Sequence, residues 1–214
     1  KAPSGPTFSL NNAVDNLYKN EFDIYRKEKN PHPIMIQNNL KCIPYENENL
    51  STWRNAFKGI QWRDEKTNFL FFGGIDDIWI NNEDELHIVD YKATAKKTFK
   101  PNFDTGWEVC YKRQIEIYQW LFKKNGFKVS DIGYIIYANG KSEEKDFGGN
   151  LKFEEHLFPL VCNTDWIEKI IQEIYECLNS DNLPKSGGGW NGEGCEQCSY
   201  KKKLFHIFKS HTQK

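Results

Sequence analysis

Hydrophobic and polar positions change period several times along the chain, and each change marks an element. Residues 9–28, SLNNAVDNLYKNEFDIYRKE, carry Leu10, Val14, Leu17, Tyr18, Phe22 and Tyr25 at helical spacing. They predict a first helix with Ser9 as its cap and the PHP of 31–33 as its stop. Residues 34–62, which hold Trp53 and Trp62, give no clear period. Residues 68–80, NFLFFGGIDDIWI, and 86–92, LHIVDYK, are aromatic and β-branched runs on either side of the polar NNEDE, and they predict an antiparallel hairpin. The helical period returns in WEVCYKRQIEIYQWLFKK at 107–124, which ends at Asn125 and Gly126, a pair suited to a left-handed cap. Strands are expected near 131–138 and 151–161 with a GGN turn between them. A last helix follows over Asp165 to Leu178, capped by Asn163 or Thr164, and then SGGGWNGEGCEQCSYKKK, a glycine-rich link to a CxxC. Strands interleaved with helices in this order predict an α/β fold, a mixed central sheet flanked by helices. The expected organisation is one domain over 1–185, its first part, 1–65, a helical and mixed lead-in, with a cysteine-bearing basic tail over 186–214.

Composition narrows the function. The 214 residues hold 29 Lys and Arg against 30 Asp and Glu, a net charge of -1, so any phosphate-binding surface must be local. No apolar run approaches the roughly 20 residues that cross a bilayer, and the opening KAPSGPTFSL lacks an apolar signal core, so membrane and secreted classes are not expected. Six cysteines in a chain large enough to build its own core need no disulfide framework, and a reducing cytoplasm is the expected compartment. The chain starts at Lys1 and has a single methionine, Met35, so it reads as part of a longer protein.

The acidic hairpin carries the chemistry. Side chains alternate along a strand, so Asp90 and Lys92 share a face. A hairpin symmetric about Glu83 sets Asp76 opposite Asp90, with Ile78, Ile80, Leu86 and Ile88 on that same face. Opposed carboxylates about 5 Å apart repel, so a cation must sit with them. Lys92 supplies one charge; a divalent metal with oxygen ligands supplies two and leaves positions for water and phosphate. A structural salt-bridge network accounts for the spacing equally well. Asp77 turns to the other face with Trp79, His87, Val89 and Tyr91, as a structural or solvent-facing residue, and His87 reads as a strand residue satisfied by a neighbour.

Gly73-Gly74-Ile75-Asp76, then Asp90-Tyr91-Lys92, then Gln114 and Tyr118 in a Q-x-x-x-Y helix, resemble the PD-(D/E)xK nucleases, and within them the RecB and Cas4-like branch. The resemblance spans about 68–120, with the CxxC tail extending it. It implies a restriction-endonuclease-like core and a Mg²⁺- or Mn²⁺-dependent deoxyribonuclease, an exonuclease acting on single strands or duplex ends. On that resemblance Asp76, Asp90 and the backbone carbonyl of Tyr91 hold the metal, Lys92 orients water or stabilises an oxyanion, and Gln114 completes the catalytic set. Tyr118 shares the face of Gln114 but reads more readily as a core aromatic, so Gln114 has the better claim to the site, while Lys112 and Arg113 are candidates for phosphate contact. Relatives take a further Glu or His from helix one, for which Glu21 is the candidate. The process served, whether repair, recombination, adaptation to foreign DNA or mobile-element processing, stays open.

Cys195 and Cys198 have the spacing that lets two thiolates share one metal. In the relatives such a group closes an iron-sulfur cluster with upstream cysteines. Here no cysteine precedes Cys42, so Zn²⁺, a cluster completed from upstream of Lys1, and a vestigial pair are all open. Cys42, Cys110, Cys162 and Cys177 read as buried packing residues. Lys201, Lys202 and Lys203 with Phe205 and Phe208 form a basic, aromatic tail that either tracks a phosphate backbone or is a solvated terminus. Two rival functions remain: an idle nucleic-acid-binding module of the same fold, and a structural domain with no metal.

Overall fold

The computed structural model describes residues 9–182, 184–188 and 194–212, with side chains up to Phe208. The centre of the glycine-rich link, 189–193, lies outside the described residues. Residues 9–169 form one compact unit; those from 170 onward belong to a second.

The first unit opens with helix α1 (Ser9–Glu28), whose buried positions are Tyr18, Phe22 and Arg26. Leu10 and Leu17 are exposed, so the face toward the core is rotated from the one the apolar spacing suggested. The chain leaves α1 through Lys29, a residue with φ of 54°. The PHP segment therefore stops nothing: Pro33 opens a second helix, α2 (Pro33–Gln37), and the ring of His32 accepts from the Ile34 N–H as its cap. Strand β1 (Cys42–Pro44), the single turn α3 (Leu50–Trp53) and strand β2 (Ile60–Arg63) fill the stretch without a clear period.

Residues 68–80 do not make one strand. They split into β3 (Leu70–Gly73), which pairs with β2 in a separate two-stranded sheet, and β4 (Asp77–Asn81). Two glycines at the break permit close approach. A Cβ on Gly73 would sit 2.5 Å from the Tyr118 ring, and one on Gly74 would sit 3.1 Å from the backbone of Asn55 and Ala56. Strand β4 pairs with β5 (Leu86–Thr94) in the symmetric register, Asp77 with Val89, Ile78 with Ile88, Trp79 with His87 and Ile80 with Leu86. Helix α4 (Val109–Lys124) ends at Asn125 and Gly126, the latter at φ of 83°, and returns the chain to β6 (Ile132–Gly140) parallel to β5. Strand β7 (Phe153–Val161) pairs antiparallel with β6, so the main sheet runs β1-β4-β5-β6-β7, with one parallel pair inside it.

This sheet is covered on both faces. On one side Trp79, Val89, Tyr91, Tyr134 and Ile136 form a core with Tyr18 and Phe22 of α1 and with Ile34 and Met35. On the other lie Ile78, Ile88 and Asp90, all buried, on the face expected from the hairpin's alternation. Residues so placed read as continuous apolar runs, because neither face meets water. Helix α5 (Trp166–Leu178) begins in this unit, where the Trp166 indole donates to Glu116 at 2.8 Å. In the second unit the CxxC leads into helix α6 (Glu196–Thr212), which carries the basic tail. Among the described residues no helix is long and apolar enough to cross a membrane.

Candidate active site

Asp76 lies in the bend just before β4, one residue beyond the last ladder pair. Its carboxylate accepts the backbone N–H of Tyr91 at 2.9 Å, which places it beside β5 between Asp90 and Lys92. Two further bonds fix the backbone here. Arg54 donates from Nε to the Asp76 carbonyl at 3.0 Å, and the Ile75 N–H donates to the Trp53 carbonyl at 3.0 Å.

Asp90 is 1% exposed, and its carboxylate is ion-paired with the Lys92 ammonium. Burial, with the nearby Asp76 charge adding to it and Lys92 opposing, pushes the Asp90 carboxyl up to about 7. Burial works against the Lys92 charge, yet Asp90 and Asp76 outweigh it and hold Lys92 protonated above the usual lysine range. The Lys92 ammonium also lies 4.7 Å from the centre of the Tyr111 ring, an aromatic contact that the sequence pattern did not single out.

Gln114 and Tyr118, one turn apart on α4, are joined by a 3.0 Å bond from the Gln114 amide to the Tyr118 hydroxyl. Burial, together with the charges of Asp90 and Asp76, raises the Tyr118 hydroxyl above its ordinary range. Lys112 is held by Asp104 at 2.7 Å, and Arg113 is exposed. Cys195, Cys198 and Lys201 to Lys203 belong to the second unit. There the Cys198 N–H donates to Cys195 Sγ at 3.4 Å, and this contact holds the Cys195 thiol below its ordinary range. Cys42 and Cys162 are buried as expected, but Cys110 and Cys177 are exposed, because each falls on the outer side of its helix.

Helix one supplies different residues from the one expected. Glu21 is about half exposed and binds His32 Nε2 at 2.9 Å. Asp15, two turns earlier, lies beside Asp76, and burial and that neighbour both raise its pKa. Lys19 reaches Asp15 at 2.6 Å and Asp76 at 3.3 Å. Only the i,i+4 spacing of Asp15 and Lys19 hinted at a pair, and such pairs are common on solvated helix faces. Asp77 is fully buried rather than solvent-facing, because α1 covers that side of the sheet. It accepts from Arg26, from Arg54 at 3.2 Å and from the Tyr91 hydroxyl at 2.6 Å. His87 hydrogen-bonds the Ile132 carbonyl at 2.8 Å.

The donor chemistry suits an oxygen-ligated divalent ion: a buried carboxylate, paired with one lysine, beside a second carboxylate. Among the described residues no three His, Cys, Asp or Glu side chains converge closely enough to hold a metal alone, so a metal here would need main-chain oxygen, water or phosphate as well. Comparison with protein families matches residues 7–202 to the PD-(D/E)XK nuclease superfamily. No curated protein matches the chain.

Proposed function

The chain belongs to the PD-(D/E)XK nuclease superfamily, and from that premise we propose that it hydrolyses DNA phosphodiester bonds with Mg²⁺ or Mn²⁺ held by Asp76, Asp90 and the backbone carbonyl of Tyr91. The observation that carries this reading is the fully buried carboxylate of Asp90, set beside a second carboxylate, Asp76, with the Lys92 ammonium paired to it. Two carboxylates that share one lysine in a closed sheet face are costly to ionise unless a further cation or a proton completes them. A divalent ion bound there supplies an activated water and offsets charge on the phosphate.

The chain's own groups have distinct tasks. Asp90 and Asp76 would hold the cation, Asp90 from the buried face of β5 and Asp76 with one oxygen fixed by the Tyr91 amide. Lys92 keeps its proton and sets a positive charge beside the reacting phosphate, where it orients water or stabilises a developing oxyanion. Gln114 and Tyr118, bonded to one another, present an amide and a hydroxyl for positioning. The finer reading keeps the RecB and Cas4-like branch, action at single strands or duplex ends, a nuclease domain over 1–185, and a Zn²⁺ or iron-sulfur role for Cys195 and Cys198.

The test is Mn²⁺-dependent cleavage of labelled single-stranded and duplex DNA by the wild type beside Asp90→Ala and Lys92→Ala, with EDTA as control. Metal-dependent cleavage lost in both variants supports the site; cleavage that survives both overturns it. Salt-sensitive DNA binding without cleavage by the wild type favours the idle module.

A further inference from the structure

Lys19 is a cation at the candidate site that the proposed chemistry leaves without a task. Its ammonium lies 2.6 Å from Asp15 Oδ2 on its own helix and 3.3 Å from Asp76 Oδ1, which arrives from the other end of a 57-residue separation. The side chain is 19% exposed, so this is no loose surface pair. A position between two carboxylates from separate elements is one that an oxygen-ligated divalent ion can fill. Here the ammonium fills it.

Charge argues in the same direction. Asp15, Asp76 and Asp90 bring three negative charges when ionised, and Lys19 and Lys92 bring two positive ones. One divalent ion and one phosphodiester charge then leave the site neutral. A second divalent ion would leave two positive charges uncompensated among partly buried groups, an unfavourable arrangement. We propose that Lys19 is a positioning residue that stands in for a second divalent ion, so that the site takes one metal per chain; this rests on the metal-dependent reading above.

The experiment counts bound Mn²⁺ on the full chain by electron paramagnetic resonance and calorimetry. Wild type, Lys19→Ala, Lys19→Gln, Lys19→Arg and Asp90→Ala are compared, each checked for folding by circular dichroism. Binding that Asp90→Ala abolishes defines the site. The expected result is one such Mn²⁺ in the wild type and in Lys19→Arg. In Lys19→Ala and Lys19→Gln a second ion should appear, or the first should bind at least fivefold tighter. Two site-bound ions in the wild type overturn the proposal, as does an unchanged number and affinity in both neutral variants. If no Mn²⁺ binding depends on Asp90, the metal-dependent reading falls, and the role of Lys19 falls with it.

Discussion

The backbone N–H of Tyr91 donates to the Asp76 carboxylate at 2.9 Å, at the point where the β4–β5 ladder stops. Had the ladder run one residue further, Asp76 would simply face Asp90 across the pair. By leaving it, Asp76 spends one carboxylate oxygen on the neighbouring strand's amide and turns the other toward Lys19. The segment that holds it there, Trp53 and Arg54, comes from the part of the sequence with the weakest pattern.

Arg54 bridges the Asp76 carbonyl, Asp23 and Asp77 with one guanidinium fork, which a lysine cannot reproduce. Arg54→Lys is expected to lower metal-dependent cleavage about tenfold or more while costing roughly 1–3 kcal/mol of stability, the range for a lost charged hydrogen bond. Steady-state cleavage and urea unfolding of the same samples check this. A loss of stability with unchanged cleavage would separate Arg54 from Asp76.

Asp77 neutralises Arg26 and Arg54 in a region closed to water. Asp77→Ala leaves those cations with Asp23 alone and should cost about 3 kcal/mol, the low end of the range for breaking a buried pair. Tyr91→Phe removes one donor to the same carboxylate and should cost about 1.5–3 kcal/mol. Denaturant unfolding of both variants ranks them.

Asp90 and Asp15 both bind protons more tightly in the folded chain than in the unfolded one. A raised acid contributes stability below its unfolded pKa and loses it as pH rises through the folded value. Metal-free protein should therefore lose stability between about pH 4 and 7, and Asp90→Asn should flatten that slope. Mn²⁺ affinity should rise across the same window, with proton release measurable by calorimetry in buffers of different ionisation enthalpy. A wild-type stability that climbs from pH 5 to 8 without metal contradicts the assignment.

Gly73 lets β3 lie against Tyr118, and an added Cβ would meet that ring at 2.5 Å. Gly73→Ala should displace Tyr118 and cost about 1–3 kcal/mol, the range for overpacking. Cleavage should fall further than stability alone explains, since Tyr118 carries the bond from Gln114. Gly126→Ala, with nothing within 4 Å of the added carbon, serves as a control for backbone strain remote from the site.

Much of this was legible along the chain because the signals are local. Period-two alternation placed Asp90 and Lys92 on one face, symmetry about the turn gave the β4–β5 register, and the three- and four-residue spacing marked α1 and α4. The break at Gly73-Gly74 within an apolar run was not legible, since splitting one strand between two sheets depends on what each half packs against. Nor could spacing choose Asp15 and Lys19 over Glu21, because all three are polar positions on one amphipathic helix and only docking against the sheet fixes its rotation. The sequence by itself determined the long helices, the β4–β5 register and the acidic hairpin, through repeats spanning a few residues. The tertiary structure alone decided which charges meet, because an ion pair such as Lys19 with Asp76 joins residues that no local period relates.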